Sequence, residues 1–328
     1  MASQTQSLAK CQYGPEASAY GTEAAAYAEL HKTQSSTITR DNGVTYERGT
    51  GEGLNITKAY WGPYLGNISV EYNVEDFDFL QHWVGPKTGA GSVGDPYILT
   101  EATKTAINSQ LQPFSFERTN DTESTKTVQT CLGSVGTKFT LSGAIGLGLV
   151  CSAQAVCQKV VDSTSGETFV VSTANSLQML NGTWKWGTTP TAISGVQGFT
   201  ITLTNIMAID DTRDISSRFI DLPQLDGREY KFTIAIKMAN ALASTIMTDF
   251  SGGGLTPNTG AASVNPTANL EFKIELASGS NYGTIDIDEC TIDNITETQT
   301  LNGGLVILNI SGTAQKGTGN VPLSWWSV

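Results

Sequence analysis

The chain has 328 residues, enough for a sizeable core, and its 34 glycines, 15% charged residues and wealth of Thr, Ser, Asn and Val point to sheets. That composition argues against a helical bundle or a disordered polyelectrolyte. A formal net charge of −12 argues equally against a nucleic-acid reader, because phosphate recognition needs clustered Lys and Arg.

No apolar run approaches the ~20 residues that span a bilayer, and the first residues lack the apolar stretch of a secretory signal. A soluble product made without Sec export is expected. Residues 1–32 are rich in Ala, Tyr, Glu and Gly and read as an arm, with Glu23 to His31 the one helical possibility. Thr33 to Leu54 is polar, contains the Gly49-Thr50-Gly51-Glu52-Gly53 cluster, and is long for a plain connection, so it reads as a functional loop. Together, residues 1–54 are expected to contact other subunits, ahead of two β-rich halves at 55–165 and 166–328 of a single unit.

The strongest pattern lies between Ala59 and Gly85. After the turn residues Gly62-Pro63 and Leu65-Gly66-Asn67, Ile68, Val70, Tyr72 and Val74 alternate with Asn67, Ser69, Glu71 and Asn73. This is a half-buried strand whose first set faces the core and whose second set points away from it. Phe77, Leu80, Gln81 and Val84 then follow helical spacing, with Asp76 and Asp78 suited to a helix N-terminus and Gly85-Pro86 to its end.

Pro86 to Pro96 reads as a loop, Tyr97 to Leu99 and Pro113 to Arg118 as strands, and Asn120 to Lys126 as another loop. Lys138 to Gln158 alternates with Phe139, Leu141, Ile145, Leu147 and Leu149 on one parity, bent at Gly143, Gly146 and Gly148. Gly166 to Gly198 is a looser connection holding Phe169 to Val171 and Trp184-Lys185-Trp186, and Phe199, Ile201 and Leu203 mark a strand.

From Leu222 to Gly252 the earlier order recurs. Asp226-Gly227 is a hairpin signal, Tyr230, Phe232, Ile234, Ile236 and Met238 alternate with Lys231, Thr233, Ala235 and Lys237, and Ala239 to Phe250 reads as a helix. Leu270 to Leu276, Ile285 with Ile287, and Leu305 to Ile310 complete the strands. The expected fold is mainly β: an antiparallel β-sandwich with one or two short flanking helices.

Chemistry-bearing motifs are scarce. The two histidines, His31 and His82, have no triad context, and GxSxG, HExxH and Walker A patterns are missing. Gly89 to Gly94 matches GxGxxG but follows a helix and leads to Pro96, the wrong setting for a dinucleotide. Asp286, Asp288, Glu289 and Asp293 offer oxygen ligands for Ca²⁺, although alternation with Ile285 and Ile287 also fits a solvated strand face. Glu71, Glu75, Asp76 and Asp78 lack the signature of a glycosidase acid pair. The five cysteines show neither CxxC nor zinc spacing and are expected to be reduced. Cys151 and Cys157 on one strand would stand roughly 20 Å apart at ~3.3 Å per residue, too far to bridge. No catalytic residue, cofactor or metal is expected.

One alternative is a cell-surface or carbohydrate-binding β-sandwich with Trp61, Trp184, Trp186, Trp325 and Trp326 as sugar platforms. The order of features, however, resembles the major tail tube proteins of long-tailed viruses of bacteria and archaea. The resembling residues are Tyr13-Gly14, Tyr20-Gly21, the Gly51 to Gly53 turn, Leu65 to Val70, the Phe77 to Gly85 helix and Pro113 to Phe116. The likeness runs from about Tyr13 to Leu308 in pattern and order rather than in diagnostic residues.

The resemblance implies a β-sandwich flanked by a helix, assembled into hexameric rings whose strands join in one barrel around a lumen, the rings stacking through loops and arms. Asn67, Ser69, Glu71 and Asn73 would then face a DNA conduit. Implied partners are the chain itself, a tape measure protein, a tail terminator, baseplate or tip proteins, and double-stranded DNA passing without specific binding; a sheath protein would join only in a contractile tail. The implied location is the virion, after assembly in the host cytoplasm. Lys231 and Lys237 depart from that pattern, since basic groups facing the channel would slow DNA.

Overall fold

Branched and aromatic residues alternate with Ser, Thr and Asn along most segments, which buries one side of a pleated strand and solvates the other. The computed structural model describes residues 8–16, 19–30, 32–47, 56, 58–101, 111–122, 125–164, 174–187, 191–209, 217–237, 271–278, 281–287, 290–299, 306–314 and 323–327. In the first half the strands are β1 (Leu8–Pro15), β2 (Ala28–Leu30), β3 (Thr33–Asp41), β4 (Thr45–Glu47), β5 (Lys58–Tyr60), β6 (Leu65–Asn73), β7 (Lys87–Thr88), β8 (Tyr97–Leu99), β9 (Phe114–Thr122), β10 (Thr125–Ala144), β11 (Val150–Cys157) and β12 (Lys159–Ser163). The second half supplies β13 (Gln178–Gly187), β14 (Thr191–Ile193), β15 (Val196–Ala208), β16 (Gln224–Lys237), β17 (Glu271–Ser278), β18 (Asn281–Ile287), β19 (Cys290–Gln299), β20 (Val306–Ala314) and β21 (Leu323–Ser327). A 3₁₀ turn, Asp78–Leu80, runs into the one-turn helix α1 (Gln81–Val84).

The protein is mainly β, and its paired strands are antiparallel. A long sheet has the order β19-β20-β16-β15-β10-β11-β6-β3, and β9, β1, β2 and β12 join it through the first part of β10. A second sheet, β14-β13-β17-β18-β21-β8-β7, packs across β15 and β16, with Trp184 5.1 Å from Phe199 and Trp186 6.2 Å from Phe232 between ring centroids. On the other side β1 packs beside β3, so β1, β9, β10, β11, β6 and β3 curl into a barrel. Phe79 and Trp83 plug it: Phe79 lies 4.6 Å from Tyr13, 4.8 Å from Trp83 and 5.7 Å from Phe114. One hydrophobic core runs through barrel and sandwich.

The plug is held by its ends. At its start Asp78 N donates to Asp76 Oδ1 at 2.9 Å. At its end the Trp83 carbonyl accepts from Asn205 Nδ2 at 3.0 Å and Arg228 Nη2 at 2.7 Å, so side chains from β15 and β16 satisfy a helix terminus too short to stabilise itself.

Several segments differ from the sequence expectation. The supposed arm contains β1, with Cys11 and Tyr13 in the core and Gln12 buried against Glu117 at 3.0 Å. Glu23 to His31 is not helical where described; it includes β2. The supposed loop from Thr33 begins with β3, polar because most of its side chains are exposed. In the expected loop Asn120 to Lys126, Asn120 to Thr122 end β9 and Thr125 and Lys126 start β10. Lys138 to Gln158 is a hairpin, turning at Gly146 with φ +76° and leaving Ile145 and Leu147 exposed. Trp184-Lys185-Trp186 lies in β13, and Asp226 forms a bulge within β16 instead of a hairpin. Gly49 to Gly53, Phe169 to Val171 and the helix expected at Ala239 to Phe250 lie outside the described residues.

Because β1 is part of the barrel wall, deleting residues 1–19 is expected to unfold the protein, not merely to weaken assembly; circular dichroism and solubility of the truncated chain check this. His82 provides a second test. Its ring is wholly buried, Nδ1 donates to Gln112 O at 2.9 Å, and burial lowers its pKa to about 4. The unfolded chain, titrating near ~6.5, therefore binds more protons between these values. Its stabilising contribution is full above the unfolded pKa and declines as pH falls toward the folded one. In urea unfolding across that window, His82→Phe should flatten the loss of stability seen in the parent.

Candidate functional site: the polar face of the long sheet

The alternation in β6 is preserved in burial. Ile68, Val70, Tyr72 and Val74 are each at most 3% exposed, whereas Asn67 and Ser69 are exposed and Glu71 and Asn73 half-buried. Asn73 Oδ1 accepts from Gln34 Nε2 at 2.8 Å. Directly paired residues share a face, so the register carries the polar side of Ser69 and Glu71 across the sheet, whereas Asn67 pairs with the buried Val156, itself paired with the buried Val135.

One row reads Ser35, Glu71, Ser152, Thr140, Thr202, Lys231, Thr313 and Thr291 from β3 to β19. A neighbouring row reads Thr37, Ser69, Gln154, Lys138, Thr204 and Glu229. The core side is its opposite: Tyr72, Cys151, Leu141, Ile201 and Phe232 follow in register, ending at Gly312, where a Cβ would overlap the Phe232 ring.

Hydroxyls dominate the polar face: those of Thr140 and Thr202 meet at 3.2 Å, and Thr313 Oγ1 donates to the carboxylate Oδ2 of Asp293 at 2.6 Å. Charges of both signs are interspersed. Lys231 pairs with Glu229 at 2.9 Å, while Lys138 and Lys237 are exposed. Sequence reasoning found the β6 contribution and set Lys231 and Lys237 of β16 toward the same side. The Thr200, Thr202, Thr204 alternation marked the same face on β15, but nothing in one chain announces which strands lie side by side.

The other candidates do not converge. Asp286 on β18 pairs with Lys273 at 3.5 Å, whereas Asp293 belongs to β19 in the other sheet; Asp288 and Glu289 lie outside the described residues. Among the described residues no cluster of His, Cys, Asp and Glu is arranged to hold a metal ion. Lys32 pairs with Glu75 at 2.8 Å and Lys87 with Asp78, an arrangement that fixes the plug. Of the tryptophans offered as sugar platforms, Trp184 and Trp186 are core residues at 6% and 2% exposure. Trp61 is exposed and stacks on the Arg218 guanidinium, 5.1 Å from its ring centroid, while the side chains of Trp325 and Trp326 lie outside the described residues.

The two faces of β6 can be separated by substitution. Val70→Asp buries an unpaired charge and is expected to cost on the order of 3 kcal/mol or more, whereas Ser69→Lys stays within about 1 kcal/mol. Chemical denaturation of both variants measures the contrast. In comparison with known proteins, no protein-family model matches the chain and no curated protein matches it.

Proposed function

We propose that the chain is a tail tube protein, a structural subunit that assembles side by side into rings around a lumen and, ring on ring, into a conduit for DNA. The observation that carries this reading is the long sheet itself: eight strands in order from β3 to β19, with one polar row registered across all eight and a second across the six from β3 to β16. A terminal strand leaves backbone donors and acceptors unpaired, and closure across subunits satisfies them without an external partner. Hexameric rings, a tape measure protein and a tail terminator follow from the family resemblance.

The polar face suits a conduit. Its hydroxyls and amides make water-like contacts, and its lysines are interspersed with Glu71, Glu229 and Asp293, so no continuous basic track faces the duplex. Duplex DNA carries one charge per ~1.7 Å of axis, and a basic lining would release counterions and hold it. The carbohydrate-binding reading is the weaker one, because two of its five tryptophans are core residues.

Negative-stain microscopy of the purified protein at high concentration should reveal rings or tubes with a central hole; a monodisperse monomer overturns the proposal. Within assembled particles, Glu71→Lys should leave tube length unchanged but slow DNA release at low salt, with recovery at high salt. Normal release at low salt removes β6 from the lumen.

A further inference from the structure

Among the described residues, β4 and β5 form a two-stranded ribbon that belongs to neither large sheet, and all six of its residues are exposed. An isolated pair of strands is marginal in water without a surface to pack on. Thr45 pairs with Tyr60, Tyr46 with Ala59 and Glu47 with Lys58, which gives the ribbon two unlike faces. Thr45, Glu47, Lys58 and Tyr60 share the polar one, where Tyr60 Oη donates to Glu47 Oε2 at 2.7 Å. Tyr46 and Ala59 share the other, and the same alternation extends it to Val44 and Trp61. Tyr46 is 61% and Trp61 70% exposed. The base of the ribbon, by contrast, is fixed: a Cβ at Gly62 would overlap the Gly43 carbonyl, Arg218 Nη2 donates to Asn42 Oδ1 at 2.9 Å, and the same guanidinium lies over the Trp61 ring. The ribbon is therefore held out in a set direction and has little freedom left to lose on meeting a partner.

The opposite end of the long sheet carries a surface of matching chemistry. The ribbon continues the β3–β6 pair beyond Asp41 and Leu65, whereas Asn73, at the far end of β6, is level with Val150 on β11, Ser142 on β10, Thr200 on β15 and Thr233 on β16. At that far end the hydroxyls give way to Ala144, Gly198 and Ala235, which follow one another in register and floor a depression of about 370 Å³. Val150 and Leu147 line it as well, and Leu147 and Ile145, on the β10–β11 turn, stand 62% and 51% exposed. Of the eleven large hydrophobic side chains exposed among the described residues, five lie between Val44 and Trp61 and two on this turn. Most of the apolar surface that the subunit leaves open is thus divided between a projection at one end of the sheet and a recess at the other.

We infer that the β4–β5 ribbon of one copy docks in the depression at the far end of a second copy, a head-to-tail contact that repeats along the strand direction. The occupant is a second copy because projection and recess lie on one chain at opposite ends of one sheet, so that displacing the subunit along its own strands brings the first onto the second. Tyr46 and Trp61 then lie on backbone that Gly198 leaves bare and Ala144 and Ala235 barely cover, with Leu147 against their edges. A contact between two different patches leaves one of each free at the ends, so it builds an open filament and not a closed dimer. This rests on the conduit reading and deepens it: pairing of sheet edges closes a ring, and the ribbon adds ring to ring.

The test compares three full-length proteins by sedimentation velocity and negative-stain microscopy: the parent, a ribbon variant carrying Tyr46→Ser and Trp61→Ser, and a recess variant carrying Leu147→Asp. The substituted side chains are exposed, so the thermal unfolding midpoints should stay close to that of the parent. The parent should form tubes and each variant alone single rings. The two variants, assembled separately and then mixed, keep one intact ribbon facing one intact recess, and should join two rings and no more. Tubes of parental length from either variant, or a mixture that stays as single rings, overturns the contact and leaves the conduit reading standing. Parent chains without a lumen that both variants abolish support the contact and remove the conduit reading. A parent that remains monomeric leaves the ribbon to some other kind of partner and overturns both. Should a variant lose its fold, copies carrying Tyr46→Cys mixed with copies carrying Leu147→Cys and treated with a short bis-maleimide decide instead: a link between positions 46 and 147, mapped by mass spectrometry, supports the contact, and a link between two copies of position 46, or none, overturns it.

Discussion

The bend in β10 is the constraint on which the architecture depends. One continuous strand pairs with β9 and β12 over its first part and with β11 and β15 over its second, and the register with β9 shifts between Cys131 and Ser134. Gly133 sits at that shift with φ +66°, and a Cβ there would approach Gln158 Cβ to 2.7 Å, so the backbone conformation and the close approach both demand glycine. Were β10 straight, its strand neighbours would form one flat sheet with a long exposed edge. Because it bends, the first part rolls toward β3 while the second part carries β15, β16, β20 and β19 onward under the second sheet.

The bend leaves an opening that the plug fills. Gly136 lies under the Trp83 indole, where a Cβ would overlap the ring, and Trp83 Nε1 donates to Gln154 O at 2.8 Å. Arg228 is the unusual member of this arrangement. Its Nε donates to Asn205 Oδ1 at 2.8 Å, its side chain is only 9% exposed, and it reaches Glu101 at 3.7 Å. A guanidinium buried that deeply is tolerable because it meets a helix C-terminal carbonyl and a carboxylate together. Two residues of β15 and β16 thus complete a helix that lies far from them in the sequence.

How much of this was legible in the sequence follows from how each strand is buried. The alternating segments of β6, β15 and β16 stand out because one face meets the core and the other meets water. β1 does not stand out, since Gln12 and Glu117 bury polar groups that satisfy one another and so erase the contrast on which periodicity relies. β3 fails for the opposite reason: at the sheet's end its outward positions are exposed and little apolar signal remains. Asp226-Gly227 has the chemistry of a tight turn, but the flanking strand pairs with β15 on both sides of it and absorbs the extra residue as a bulge. The polar residues of β6 were readable as a face. Its extension to eight strands was not, because register is a property of pairs of strands.

The plug also divides the tryptophans optically. Trp83 is sealed among aromatic rings with its indole N–H bonded to a carbonyl, while Trp61 projects into solvent over a guanidinium. An aqueous quencher such as iodide reaches the second and not the first. The fluorescence that survives quenching therefore comes from sealed indoles, Trp83 among them with the core residues Trp184 and Trp186, and so carries a signal from the barrel's stopper even inside a large assembly.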